Sequence, residues 1–147
     1  MMMATSNAEH AEKVYIVVKN AQGAELEPGY VVEWDTTSTA ADQGYAVELV
    51  DSALNTVSGI GGHKVAGVVD STIATGAVGI LQIYGPANVR SGTTIDAGQM
   101  VGGDNGGTVT EITGNGGNGV EALSALVGHT IDAAPAETNC TVQLSIF

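Results

Sequence analysis

Short apolar runs separated by polar or glycine-rich connectors set the pattern of this chain. Two of them, Val65–Val69 and Val78–Tyr84, are rich in β-branched residues and too short for an ordinary helix. They read as a pair of strands joined by the polar connector Asp70–Gly76, whose terminal glycine supplies the positive φ that a hairpin loop usually requires. The whole unit, VAGVVDSTIATGAVGILQIYGP (Val65–Pro86), has a counterpart at the C-terminus, LVGHTIDAAPAETNCTVQLSIF (Leu126–Phe147). Both run in the order apolar run, Gly, Asp, polar connector, apolar run.

The counterpart holds a register. Gly67 and Gly128 are 61 positions apart (67 to 128), and so are Gln82 and Gln143. Upstream, LEPGYVVEWD (Leu26–Asp35) and IDAGQMVGGD (Ile95–Asp104) share Leu/Ile, Gly, Val and Asp at a constant spacing of 69 (26 to 95). A period this long that occurs twice is a duplication within one domain and not a solenoid. The units are expected at roughly Leu26–Tyr84 and Ile95–Ile146, inside a single β domain of residues 13–147.

Further strands are predicted at Lys13–Lys19, Tyr30–Asp35, Gly44–Val50, Thr108–Ile112, Leu126–Ile131 and Cys140–Ile146. Lys13–Lys19 (KVYIVVK) becomes apolar throughout, which predicts burial on both faces. Ile80 and Ile83 are expected in the core. Pro86 predicts a strand end at Tyr84-Gly85-Pro86, because proline cannot donate to a ladder. One helical turn in Ser52–Gly62 and a short helix at Val120–Leu126 are the helical candidates. The expected fold is therefore all-β, a small β-barrel built from two similar β-units, with at most one short helix and an extended N-terminal arm over residues 1–12.

Composition sharpens this picture. Charged residues make up 14% of the chain, and there is one Phe and one Trp, so few large side chains are available to fill a core. Such a chain is often completed by burying surface against copies of itself, so self-association is expected. Four Lys/Arg stand against 16 Asp/Glu, for a net charge of −12. No cluster of cations is available to displace counterions from phosphates, so nucleic acid is excluded as a partner, and an anionic membrane surface is disfavoured for the same reason. No stretch approaches the length of a membrane span, and the start lacks the basic and apolar regions of a secretory signal. Cys140 is the single cysteine and falls in a predicted strand, so it reads as a buried structural thiol of a protein made in a reducing cytoplasm.

Candidate chemistry is sparse. GGDNGGTVT around Asp104 offers one carboxylate and fits neither the tandem glycine-aspartate calcium repeat nor an EF-hand loop. His10, His63 and His129 have no partner at ligand spacing, so no metal is expected. No nucleophile elbow, phosphate loop or dinucleotide fingerprint is present. Asp70 and Asp132 sit at matching places in the two units, where an Asp accepts backbone N–H groups at a strand-to-turn junction. No catalytic residue and no cofactor is expected.

The run VAGVVDSTIATGAVGILQIYGPANV, followed by IDAGQMV and the terminal VQLSIF, resembles bacteriophage head decoration (capsid cement) proteins of the phage lambda head-decoration, β-tulip type. The resemblance lies in a cadence: Gly-Val-Val, a short polar turn, a glycine-led strand ending in Tyr-Gly, an Ala-Gly or Pro-Gly turn and a closing strand. It spans most of Leu26–Phe147 and does not reach Met1–Lys19. It implies a β-tulip-like domain, a homotrimer on the exterior of a virion head assembled in the host cytoplasm, and the major capsid protein as partner. The segment outside it, with Met3, Ala4, Thr5, Ser6, Asn7 and His10, is the expected capsid-binding arm, since a weakly charged run of small residues can add to a strand edge of a partner. The alternative is a small trimeric β-barrel that binds or hydrolyses a ligand, such as a dUTPase-like enzyme. Arg90 is the single arginine, which argues against a triphosphate substrate.

Overall fold

A computed structural model describes residues 12–37, 39, 41–51, 65–112 and 126–146. The arm residues Met3, Ala4, Thr5, Ser6, Asn7 and His10 lie outside them, as do the helical candidates at 52–62 and 120–125. Leu126 opens a strand instead.

Nine strands form, with no helix among the described residues: β1 (Val14–Asn20), β2 (Val31–Trp34), β3 (Ala46–Leu49), β4 (Val65–Val69), β5 (Val78–Arg90), β6 (Met100–Asp104), β7 (Thr108–Glu111), β8 (Leu126–Thr130) and β9 (Asn139–Ser145). They hydrogen-bond in the order β1-β3-β2-β4-β5-β9-β8-β6-β7, and β1 also pairs with β5. The first five strands thus close into a barrel, in which β1 and β3 are parallel (Lys19 opposite Ala46) and the other contacts are antiparallel. The remaining strands leave β5 through β9 and curl back on it, touching at a single parallel bridge from Ser91 to Val109. Closure removes the open edges that short, glycine-rich strands would otherwise expose.

The two halves repeat each other bond for bond. Leu26 and Ile73 exchange both backbone hydrogen bonds, at 3.0 and 2.9 Å, and Ile95 and Ala134 do the same at 2.9 Å each. The Gly29 N–H donates to the Val69 carbonyl and the Gly98 N–H to the Thr130 carbonyl, both at 2.9 Å. The Gly76 N–H donates to the Asn20 carbonyl and the Glu137 N–H to the Ser91 carbonyl, again at 2.9 Å. Equivalent positions stand 69 apart from Leu26 to Asp35 and 61 apart from Gly67 onward. At the first strand the spacing is 71 (20 to 91), so the strand equivalent to β1 is the C-terminal half of β5. β5 therefore ends one unit and begins the next, which accounts for its 13 residues.

That double role overturns the strand end expected at Pro86. Arg90 sends its N–H away from β9, to the Gly29 carbonyl at 3.0 Å, and Pro86, four residues earlier, has the same parity. The missing donor of Pro86 faces the side that β1 has already left, so no ladder bond is lost. Gln82 secures the bend: its Nε2 donates to the carbonyls of Tyr84 and Pro86 at 3.0 and 2.9 Å, and the residue is buried. Gln82→Leu leaves both carbonyls without that donor, and a loss of about 1–3 kcal/mol is expected in denaturant titrations. The same change at its exposed equivalent Gln143 is expected to be silent.

The core is double. Val18, Leu26, Val32, Val47, Ala66, Val69, Ile73 and Leu81 fill the closed barrel. Val31, Val65, Val68, Val89, Val101, Val127, Val142 and Leu144 belong to the second cluster. β2 and β4 serve both: Val32 and Ala66 point one way and Val31 and Val68 the other. This explains why these two strands carry valine on both faces. β1 is not so placed. Burial of its two faces was expected, but Val14, Tyr15 and Val17 are exposed, because only its inner face meets the core. Ile80 is likewise exposed, since β5 lies across from β1 and shares its outer face, whereas Ile83, of the opposite parity, is partly buried and packs against the second cluster.

The connectors are equivalent in backbone but not in sequence. Gly76 has φ +73° and its counterpart Glu137 has φ +59°, the sole positive value at a non-glycine among the described residues. A left-handed glutamate costs about 1 kcal/mol or more, and here its carboxylate does what a glycine cannot. It accepts a hydrogen bond from Arg90 at 3.0 Å.

Candidate functional site

The residues with candidate chemistry are scattered by the fold. His129 is exposed on β8, opposite Met100 and Gln143, while His10 and His63 lie outside the described residues. Asp104 closes the β6–β7 turn, accepting the Asn105 N–H at 2.9 Å. Among the described residues no group of three His, Cys, Asp or Glu side chains is arranged to hold a metal ion.

Asp70 and Asp132 are not equivalent. The bond register equates Asp70 with Ile131, one residue short of Asp132, because the polar connectors align at 61 and not 62. Asp132 accepts the Thr141 N–H and hydroxyl at 2.6 and 3.2 Å, tying β9 to the end of β8. Asp70 is exposed beside a shallow cleft of about 200 Å³ lined also by Lys13, Gln82, Asn88 and Asn139. That volume is smaller than the ~300–1,000 Å³ of typical small-molecule sites.

Cys140 is buried with its thiol 3.6 Å from the Val89 carbonyl, and burial, then Asp132, pushes its pKa up. The thiolate is disfavoured, so this is packing and not a nucleophile. Arg90 spans the two units: its guanidinium donates to the Tyr30 hydroxyl at 3.2 Å, lies 5.6 Å from the centroid of that ring, and pairs with Glu137.

A carboxylate group missed in the sequence lies across β2 and β3. Glu33 and Glu48 face each other directly, and Glu33 is buried and accepts the Asp51 N–H at 3.4 Å. The Glu48 pKa is raised by burial first, then by Asp35, Glu33 and Asp51. Two-residue alternation on both strands contained this signal, but pairing of Tyr30–Asp35 with Gly44–Val50 was needed to see it. A raised carboxyl binds its proton more tightly in the folded state. Its contribution is therefore fully present below the ordinary value of 4.5 and is lost as pH rises through the higher folded value. Glu48→Gln is expected to raise the melting temperature at pH 7 and to give no gain at pH 4. An equal gain at both would contradict the shift.

Among the described residues, exposed large apolar side chains gather on the outer face of β1 and β5. Val14, Tyr15, Val17, Val78, Ile80 and Tyr84 are all exposed on these two paired strands, with Val17 (60% exposed) directly opposite Ile80. Exposed apolar side chains gathered on one face, and not scattered singly, often mark an interaction site.

The fold resembles the base of a phage head fibre. The crystal structure of the head fiber gp8.5 N base in bacteriophage phi29 matches with a TM-score of 0.59, covering 91% of this chain and 95% of that one. Identity is 11%, so what is shared is the fold. No family model matches the chain, and no curated protein does.

Proposed function

We propose that this chain is a structural protein of a bacteriophage head, a decoration protein that binds the outer surface of the shell as a homotrimer and braces neighbouring major capsid subunits. The observation that carries this reading is the likeness of nearly the whole chain to a head fiber base. The interior agrees with a structural role: both units are filled by their own side chains. The sequence cadence of Val65–Val89 and the terminal VQLSIF points to the same class.

Attachment falls to residues 1–12, with Met3, Ala4, Thr5, Ser6, Asn7 and His10 adding to a strand edge of the shell through main-chain hydrogen bonds. The test is co-sedimentation with expanded empty heads, together with a solution mass. Wild type is expected to sediment with heads. Deletion of residues 1–12 should leave mass and melting temperature unchanged and abolish head binding. Failure of wild type to bind heads would remove the decoration reading, and full occupancy by the truncated chain would move attachment to the β body.

A further inference from the structure

The molecule contains its own control for the apolar face. β1 lies against β5 with Tyr15 opposite Gln82, Val17 opposite Ile80 and Lys19 opposite Val78. β5 then lies against β9 with Pro86 opposite Gln143, Asn88 opposite Thr141 and Arg90 opposite Asn139. The second ladder is the first one moved by 71 positions on one strand and 61 on the other. Inward positions are apolar and buried in both: Val18 and Leu81 correspond to Val89 and Val142. Outward positions differ. Val17, Val78, Ile80 and Tyr84 correspond to Asn88, Asn139, Thr141 and Ser145. The same backbone accepts polar side chains there, so folding does not require the apolar set.

We propose that this outer face of β1 and β5 is the surface on which a second copy of this chain packs. The inference rests on the homo-oligomer in the proposed function and assigns its contact. Charge selects a self-contact here. The chain carries −12, yet neither β1 nor β5 contains a single Asp or Glu, and Lys13, Lys19 and Arg90, three of the four basic residues, lie in or beside these strands. The carboxylates nearest this face are Glu12, just before β1, and Asp42, paired with Lys19 at 3.2 Å, so copies that meet here bring fewer like charges together than contact through the acidic remainder of the surface would. β1 is paired along its length by β5 and at Lys19 and Asn20 by β3, and the contact proposed here is made by the side chains of its outer face.

The test transplants the polar unit onto the apolar one. Val17→Asn with Ile80→Thr places on the first ladder the residues that the second ladder already carries, so the fold should tolerate them. Light scattering of the full chain at micromolar concentration is expected to give an oligomer for wild type and the monomer mass for the double variant. Circular dichroism should be unchanged, and Thr141→Asn, on the equivalent face, should leave the oligomer intact. A double variant that keeps the wild-type mass overturns this assignment while leaving the oligomer standing. A monomeric wild type overturns both, and its binding to heads then tests the decoration reading separately and would give this face to the shell. Should the double variant misfold, Val17→Asn alone, at the most exposed position, is expected to weaken association at least tenfold.

Discussion

Gly128→Ala is expected to be among the most damaging single-atom-group changes this protein can take, costing about 3 kcal/mol. Gly128 lies on β8 between two partners, opposite Val101 of β6 and Leu144 of β9. A Cβ added there falls on the Gln143 carbonyl oxygen and crowds the Leu144 Cα at 3.1 Å. Backbone cannot swing aside as a side chain can, and retreat from β9 would push β8 into β6. The equivalent Gly67 gives a milder version of the same approach. Its Cβ would meet the Leu81 Cβ at 2.8 Å and the Gln82 carbonyl oxygen at 3.1 Å, and Gly67→Ala is expected to cost about 1–3 kcal/mol. Gly23→Ala is the control: it has open space around it and no positive φ, so its effect should stay within about 0.5 kcal/mol. Urea titrations of the three variants rank them. Equal effects would mean that the close approach of β8 to β9 is not there.

Those two glycines were also the most informative residues in the sequence. Their spacing of 61, with that of Gln82 and Gln143, gave the register of the repeat, because a close backbone crossing leaves no other choice of residue. Strands were legible for a similar reason. β-branched runs bounded by glycine and polar connectors can do little else in a chain with so few long helix formers. What could not be read was which face of a run is wet. β1, β2 and β4 all carry valine on both sides, and in sequence they look alike. For β2 and β4 the cause is a second core behind the strand; for β1 it is an outer surface. Tyr15, Val17 and Ile80 therefore read as core. The distinction lay in the repeat all along, since Asn139 and Thr141 stand where Val78 and Ile80 do, but using it required knowing that β5 belongs to both units. That in turn was hidden by Pro86, whose cost depends on the direction its nitrogen faces and not on its presence in a strand. The candidate site fared differently again: the arm is outside the described residues, and the apolar face is a property of pairing, which a linear pattern does not contain.

Truncation of either core is expected to melt the whole molecule in one step. Leu81 is fully buried in the closed barrel and Leu144 fully buried in the second cluster. Each change to alanine removes three carbons from a packed interior and leaves a cavity, at a cost of about 2–5 kcal/mol. A duplicated chain could in principle unfold one unit at a time. Here the wall between the cores prevents it, because β2 and β4 contribute side chains to both: losing the barrel strips Val31 and Val68 from the second cluster, and losing the second cluster uncovers the backs of Val32 and Ala66. β5 adds a covalent link, pairing with β1 and β4 through one half and with β9 through the other. Calorimetry of Leu81→Ala and Leu144→Ala should therefore each show a single transition at a lowered temperature, with calorimetric and van't Hoff enthalpies equal. Ile80→Thr, next to Leu81 but facing outward, should leave the fold of the isolated subunit intact. Two separate transitions in either alanine variant would mean that the units fold independently and that the shared wall is only a contact between them.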